Sequence, residues 1–512
     1  MKLLSDERGK VARSAVLGLA ASAVLLLASC GGGGGGTPGV SSAPPDPSSG
    51  LAASSSVAQH CAAPRNNGTD VQGTVADEKS WLRSWTDETY LWYQDVRALG
   101  ATTLNPLIYA TPEDYFKVLQ TPIVTASGKP KDAYHFTYDT PTWIALSRNA
   151  VSYGYGFEIS LVASRPPRQA IVAYTNPSTA AAMAGIVRGA QVLTVDGVDL
   201  ANGTDLATLN AGLFPTAAGL HTFSVLDPGA SAARTVTLKS SPLVSATVQN
   251  VKTLPAPNQN VGYMQFNDHL ATSEAELVAA INQLKASSIT DLVLDMRYNG
   301  GGYLDIAAEL AYMIAGAGPA PGSRKVFEQQ TFNDKNPFQL SAAQTITPFH
   351  NVAQGFSVSA GQALPTLNLS RVYVLAGADT CSASEAVVNG LRGVGVQVNL
   401  IGATTCGKPY GFNPQDNCGT TYFSIQFSGV NQLGLGDYAD GFAPTCAAGD
   451  DFTHALGDPS EGQLAAALSY RANSRCAPGM ALAQAARATG ALAGAPVLVR
   501  PPLRENRIYR SR

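Results

Sequence analysis

Residues 291–296 (DLVLDM) run without a break into 297–302 (RYNGGG), and then into a helix-patterned stretch over 304–314. A short apolar run of this kind fits a strand buried on both faces. Consecutive glycines allow backbone turns that side chains forbid. Strand, glycine turn and helix in that order predict a sheet covered by helices, an α/β fold. The same alternation begins at about residue 246. Residues 261–266 (VGYMQF) read as a strand, 273–284 as a helix with a capping-box start at 273–276 (SEAE), and 371–377 (RVYVLAG) as a further strand.

Strand-to-helix junctions are where such a sheet presents its chemistry. The backbone N–H groups of Gly300, Gly301 and Gly302 can face outward at a helix start, which is what an oxyanion site needs. A phosphate site is a weaker reading, because neither Gly-Lys-Ser/Thr nor GxGxxG is present. The second junction, 381–390, reads CSASEAVVNG. Ser382 there heads a helix, in a field that favours developing negative charge, and the Ala383 N–H can meet the same oxyanion. Taken by itself, the stretch reads as a helix cap. The third junction, 403–412 (ATTCGKPYGF), sets Lys408 in a loop of small residues. A helix and a strand fill the interval from Ser382, so both loops can reach one edge of the sheet. Considered alone, Lys408 is an exposed loop lysine.

Upstream, Trp81, Leu82, Trp85, Leu91 and Trp92 recur near helical spacing, and 111–114 (TPED) has the form of a helix start. Residues 76–149 are therefore read as a mainly helical module with the tryptophans in its core. Next come 153–159 (YGYGFEI) and 177–200 (PSTAAAMAGIVRGAQVLTVDGVDL). This order, over 150–245, resembles a PDZ domain, in which a glycine-containing loop donates N–H groups to a peptide's terminal carboxylate. The resemblance implies Gly154, Tyr155, Gly156 and Phe157 as the peptide-binding loop. The alternative is a structural β-domain whose groove binds nothing.

The first residues form an address. Lys2, Arg8, Lys10 and Arg13 make a basic start, 15–28 is mostly apolar, and Leu27-Ala28-Ser29-Cys30 follows. This resembles a bacterial lipoprotein signal. It implies a signal over 1–30 that is cut so that Cys30 becomes the lipidated first residue, membrane attachment and, because Gly31 is not aspartate, an outer-membrane lipoprotein of the cell envelope facing the periplasm. An ordinary secretory peptide is the alternative. Residues 31–75, rich in Gly, Ser, Pro and Ala, read as a flexible tether. Cys61, Cys381, Cys406, Cys418, Cys446 and Cys476 remain, an even set that suggests disulfides in an exported chain. Cys406 and Cys418 are close enough in sequence to clamp a local loop. A net charge of −3 leaves no basic footprint for nucleic acid. The tail, 476–512, reads as a loose helix or as disordered.

Taken together, LVLDMRYNGGG, CSASEAVVNGLRG and IGATTCGKPYG, behind helical and PDZ-like segments, resemble the carboxy-terminal processing, or tail-specific, serine peptidases. The resemblance extends over roughly 76–470. It implies a crotonase/ClpP-like α/β catalytic core over 246–475, polypeptide substrates, and neither metal nor other cofactor. Ser382 matches the nucleophile and Lys408 the general base. Ala383 and a glycine among Gly300, Gly301 and Gly302 match the oxyanion donors, while Ser384 and Glu385 shape the helix start. A free lysine, with a pKa of about 10.4, is a poor base near neutrality, so Lys408 has to be buried away from water. This chain departs from the family in two respects. Its Ser–Lys interval is slightly longer, and Phe412 stands where the family often carries a glutamine that orients the lysine. Gln415 is the nearest substitute.

Two rival readings remain. One is a peptide-binding lipoprotein that keeps the fold without cleaving, and the other is a crotonase-fold enzyme, which predicts acyl-CoA binding. The histidines are His60, His135, His221, His269, His350 and His454, and none forms HExxH or a cysteine–histidine metal pattern. His269 is the reserve base, since a distant branch of the same peptidase group pairs serine with histidine. His454 reads as a surface group. Residues 438–442 (YADGF) read as a structural turn, with groove lining as the alternative. The sequence leaves the oligomeric state open.

Overall fold

Every residue of the strands Val261–Phe266 and Asp291–Asp295 is buried, as are all but the first of Arg371–Ala376 and Gln397–Gly402. In the computed structural model, which describes residues 50–316, 325–476, 498 and, as backbone, 507–509, they form the centre of a six-stranded sheet. The strand order is Val248–Thr253, Val261–Phe266, Asp291–Asp295, Arg371–Ala376, Gln397–Gly402, Cys446–Ala447. The first pair is antiparallel and the others are parallel. Parallel neighbours need crossovers, and the helices Ser273–Ala286, Leu304–Ala315 and Ala383–Gly393 supply the first three of the four. Alternate strand residues face opposite layers. Met264 and Phe266 pack with Leu277, Leu310 and Val387, whereas Val261 and Tyr263 pack with Leu375, Ile401 and Leu464 of helix Gly462–Asn473. The α/β expectation therefore holds.

The antiparallel strands Phe157–Ala163, Gln169–Thr175, Gln191–Val195, Leu220–Leu226 and Arg234–Lys239 surround a core of their own, which includes Tyr155, Val172 and Phe223. Helix Val75–Thr89 starts at a capping box made by Thr74 and Asp77. Its Trp81 and Trp85 stack at 5.1 Å and pack with Tyr422, so the tryptophans are core residues, as expected.

Three expectations are corrected. The tether reading fails from Gly50 onward, where the chain is pinned down. Glu88 accepts a hydrogen bond from the Ser54 N–H at 2.7 Å, and Cys61 is fully buried and bonded to Cys418 across 357 residues. Composition cannot reveal so distant a staple. The Cys406–Cys418 clamp is replaced by Cys61–Cys418, Cys381–Cys406 and Cys446–Cys476. Cys418 lies beside the hairpin Gln415–Asn417/Thr420–Phe423, which faces Gln59, while Cys406 lies beside the turn that carries Cys381. The capping box at Ser273 does not form either. The N-cap is Thr272, and Glu276 instead accepts the N–H groups of Thr247 and Val248. Cys30 and its signal lie outside the described residues.

Glu274 is fully buried and accepts N–H groups from Gln354, Gly355, Ser357 and Val358. Glu309, on the neighbouring helix, sits against it. Burial, with the Glu274 charge next, pushes the Glu309 carboxyl up to about 9. A carboxyl held protonated by the fold contributes stability that is complete below the ordinary carboxylate value and is lost as pH rises through about 9. Glu309→Gln keeps a donor for Glu274 and cannot ionise. It is expected to flatten the fall of Tm with pH across that window, and a fall as steep as the wild type's would remove this explanation.

Candidate active site

The strand Arg371–Ala376 ends in a turn that is laid over residues 296–299. Thr380 Oγ1 donates to the Met296 carbonyl at 2.9 Å, the Cys381 N–H to the Asn299 carbonyl at 3.1 Å, and Ser384 Oγ to the same carbonyl at 3.0 Å. Ser382 is left at the head of helix Ala383–Gly393 with φ 64° and ψ −117°. Left-handed backbone is costly for a residue with a side chain, of order 1–3 kcal/mol, and such strain gathers at functional positions. Ser382 is completely buried, and its Oγ has no hydrogen-bond partner among the described residues. Ser382 and Glu385 also stand as the two ends of a capping box, so the cap reading holds for the helix start without accounting for the strained, buried serine. Ala383 opens the helix, where backbone N–H groups have no partner in a preceding turn.

Glu385 organises the site. Fully buried, it accepts the Ser382 N–H at 3.0 Å and the Lys408 N–H at 2.8 Å on Oε2, and the Thr405 hydroxyl at 2.5 Å and Gly407 N–H at 2.9 Å on Oε1. Two amides bound to one oxygen lie within two hydrogen-bond lengths of each other. A single carboxylate thus joins the Ser382 turn to the Lys408 loop. Burial pushes its pKa up, against the pull of these donors. The sequence reading missed this clamp and assigned Glu385 only to the helix start. The available signal was an acid in an apolar first turn directly behind the serine, since a buried carboxylate has to collect donors.

Lys408 has no exposed surface, and its Nζ lies 4.2 Å from the Phe412 ring centre and 4.8 Å from that of Tyr134. Gly407 has φ +91°, and a Cβ there would meet the Ala439 carbonyl at 2.3 Å, so only glycine fits before the lysine. The 438–442 turn buttresses this loop. Thr405 N–H donates to the Phe442 carbonyl at 3.2 Å, Phe442 N–H donates back to Thr405 Oγ1 at 2.7 Å, and Tyr438 stacks on Phe442. Gln415 does not stand in for the missing glutamine. Its Nε2 donates to the Asp416 carbonyl within the hairpin.

The glycine loop corrects one oxyanion assignment. The Gly301 N–H is taken by Asn299 Oδ1 at 2.9 Å, which leaves Gly300 and Gly302 of the expected trio. His269 forms the wall of this loop. It is fully buried, its N–H donates to the Gly301 carbonyl, its carbonyl accepts from Tyr303, and its Nδ1 lies 3.1 Å from Asn299 Oδ1. The strand Arg507–Tyr509 pairs in parallel with Gly301–Tyr303, where a loose tail was expected. His454 is paired with Asp451 at 2.6 Å on a surface loop. The loop's leading residues are fixed by buried charge. Arg297 binds Asp295, Glu461 and Asp450. Arg188, from the β-rich segment, reaches across to Tyr298 at 2.7 Å and Asp450 at 2.5 Å.

Gly154, Tyr155, Gly156 and Phe157 line a cavity of about 360 Å³ that also takes in Asp268 and Tyr298 of the α/β segment. Gly156 has φ +96°, and a Cβ there would strike Thr179. The expected peptide loop and the glycine junction thus border one space. Cys381, Glu385 and Cys406 bring possible metal-ligand atoms within 4.8 Å of one another, but the two sulfurs are joined to each other, so no thiolate is on offer.

Comparison with known proteins bears on this same region. A carboxyl-terminal-processing protease of Picosynechococcus sp. is 27% identical over 239 residues, 45% of this chain and 49% of that protein, so the match spans about half the relative's length. The crystal structure of a Bacteroides fragilis protein assigned to the S41 proteases superposes with a TM-score of 0.57 at 22% identity, covering 77% of this chain and 97% of that one, which shows a shared fold. Residues 260–417, which hold the glycine loop, Ser382, Glu385 and Lys408 together, match the model of peptidase family S41.

Proposed function

We propose that the protein is a serine endopeptidase of the tail-specific type. The PDZ-like segment holds the C-terminal part of a polypeptide through Gly154, Tyr155, Gly156 and Phe157. Ser382 Oγ attacks the scissile carbonyl carbon while Lys408 Nζ takes its proton. The oxyanion meets the N–H groups of Ala383 and of Gly300 or Gly302. Collapse breaks the C–N bond, Lys408 returns the proton to the leaving amine, and an ester on Ser382 remains. Water, losing a proton to Lys408, attacks that ester and frees Ser382. Cys30 tethers the enzyme to the membrane of the cell envelope.

The observation that carries this reading is the Glu385 carboxylate, which holds the backbones of Ser382 and Lys408 side by side in a fully buried space. The family match over 260–417 supports it. Phe412 in place of an orienting glutamine favours the second reading, a peptide-binding lipoprotein that does not cleave. A fluorophosphonate probe mapped by mass spectrometry separates the two, run alongside digestion of an unfolded protein. The peptidase reading expects the label on Ser382 and fragments that appear only with unlabelled enzyme. A label elsewhere, or intact substrate, favours the binder.

A further inference from the structure

The side chain at 412 cannot orient an amine by hydrogen bonding, because a phenyl ring carries no polar donor or acceptor atom. The base loop has to be held by its backbone, and two of the ties that hold it lead to the Ser382 turn. One is the Glu385 clamp. The other is covalent. Cys381 immediately precedes Ser382, Cys406 lies just before Gly407 and Lys408, and the two are bonded with Cα atoms 5.2 Å apart. Each half-cystine is also fixed at its own backbone. The Cys381 N–H donates to the Asn299 carbonyl at 3.1 Å and the Cys406 N–H to the Thr380 carbonyl at 3.0 Å. The bond therefore joins two rigid points, one on each side of the reacting pair. The Cys406 sulfur also lies 3.4 Å from Glu385 Oε2, the oxygen that binds both the Ser382 and Lys408 amides. Cys381 is sealed in the core, whereas Cys406 is only half-buried, so a small thiol reagent can reach the bond from the Cys406 side.

We propose that the Cys381–Cys406 disulfide is a positioning element of the Ser382–Lys408 pair, and that cleavage by this protein depends on that bond being oxidised. The inference rests on the peptidase reading. Opening the bond removes the covalent tie and leaves the Lys408 loop on non-covalent contacts, among them those to Glu385, Thr380, Tyr134 and the 438–442 turn. A shift of about 1 Å at a reacting pair is enough to cost on the order of 10²-fold in rate. The other two disulfides lie away from this junction, one on the 61/418 hairpin face and one on the 446/476 edge of the sheet.

The test uses the full chain and an unfolded protein substrate. Dithiothreitol supplies two electrons and two protons to the S–S bond, giving two thiols, and is itself oxidised to its cyclic disulfide. Alkylation and mass spectrometry then report which cysteines have opened. In the wild type, kcat is expected to fall roughly 10- to 100-fold in step with opening of Cys381–Cys406, with KM unchanged, and to return on reoxidation. The Cys381→Ala/Cys406→Ala variant is expected to show the low kcat from the outset and no response to reductant. Cys446→Ala/Cys476→Ala is expected to respond as the wild type does. The proposal is overturned by a wild type that keeps its kcat with Cys381–Cys406 open. Equally, it is overturned by a folded Cys381→Ala/Cys406→Ala variant at wild-type kcat, or one still slowed by reductant. If that variant does not fold, the opening series on the wild type decides alone. Oxidised wild type that cleaves nothing defeats the peptidase reading and this inference with it. Oxidised wild type that cleaves but ignores reductant defeats only the inference.

Discussion

Ser382→Ala is expected to lower kcat for polypeptide cleavage by at least about 10³-fold, and Lys408→Met to do the same to within about tenfold, because neither half of such a pair works without the other. The double variant should be no slower than the single variants, since residues that act as one unit are strongly non-additive. Ser382→Ala should fold normally. Its hydroxyl makes no well-formed hydrogen bond, the Glu385 half of the capping box uses the backbone N–H that alanine keeps, and an alanine is no worse than a serine at φ 64°. Lys408→Met replaces a buried stem of similar length between the rings of Phe412 and Tyr134, so its Tm should stay within a few degrees of the wild type. His269 supplies the decisive comparison. It is a buried nitrogen base at the glycine loop, with Nδ1 turned to Asn299. Kinetic constants for the three single variants, each with its Tm, separate the two bases. If His269→Ala matches Ser382→Ala while Lys408→Met keeps most of the rate, the base is histidine and the Ser–Lys reading is wrong.

What could be read from the sequence follows physical lines. Strands buried on both faces appear as unbroken apolar runs, so 261–266, 291–295 and 371–376 were visible without their neighbours, and with them the junctions that carry Gly300, Ser382 and Lys408. Relations that exist only after folding were not visible. Glu385 looked like a helix-start residue because its partners Thr405, Gly407 and Lys408 arrive from the far side of the next strand. Gly301 looked like one of three equivalent donors, because nothing local shows that Asn299 Oδ1 has already taken its N–H. Cys406 appeared to suit Cys418 by proximity in the chain, while the meeting of two sheet-edge loops gave it to Cys381. At 273–276 the capping pattern was genuine as a pattern. Tertiary partners with unsatisfied N–H groups at 247–248 and 354–358 outbid the helix end for both glutamates.

The same competition for acceptors makes Glu385 the position where a conservative change should do the most damage to structure and rate together. Its two oxygens take three backbone N–H groups and one hydroxyl in a fully buried space. Glu385→Ala leaves those donors stranded, and each buried, unmatched donor costs roughly 1–3 kcal/mol, so a loss of about 3–5 kcal/mol is expected after partial relaxation. Glu385→Gln keeps the shape but turns an NH₂ toward N–H groups on one side. It should cost about half as much in stability while lowering kcat by on the order of 10²-fold, because whichever oxygen is lost releases the base loop, the serine, or both. Denaturant unfolding and steady-state kinetics of the two variants check this. The Gln variant is the informative one, since it separates clamping from mere filling of space. If Glu385→Gln kept its stability and its kcat within twofold, the carboxylate would not be what holds Ser382 against Lys408. The disulfide and the 438–442 buttress would then have to align the pair without it.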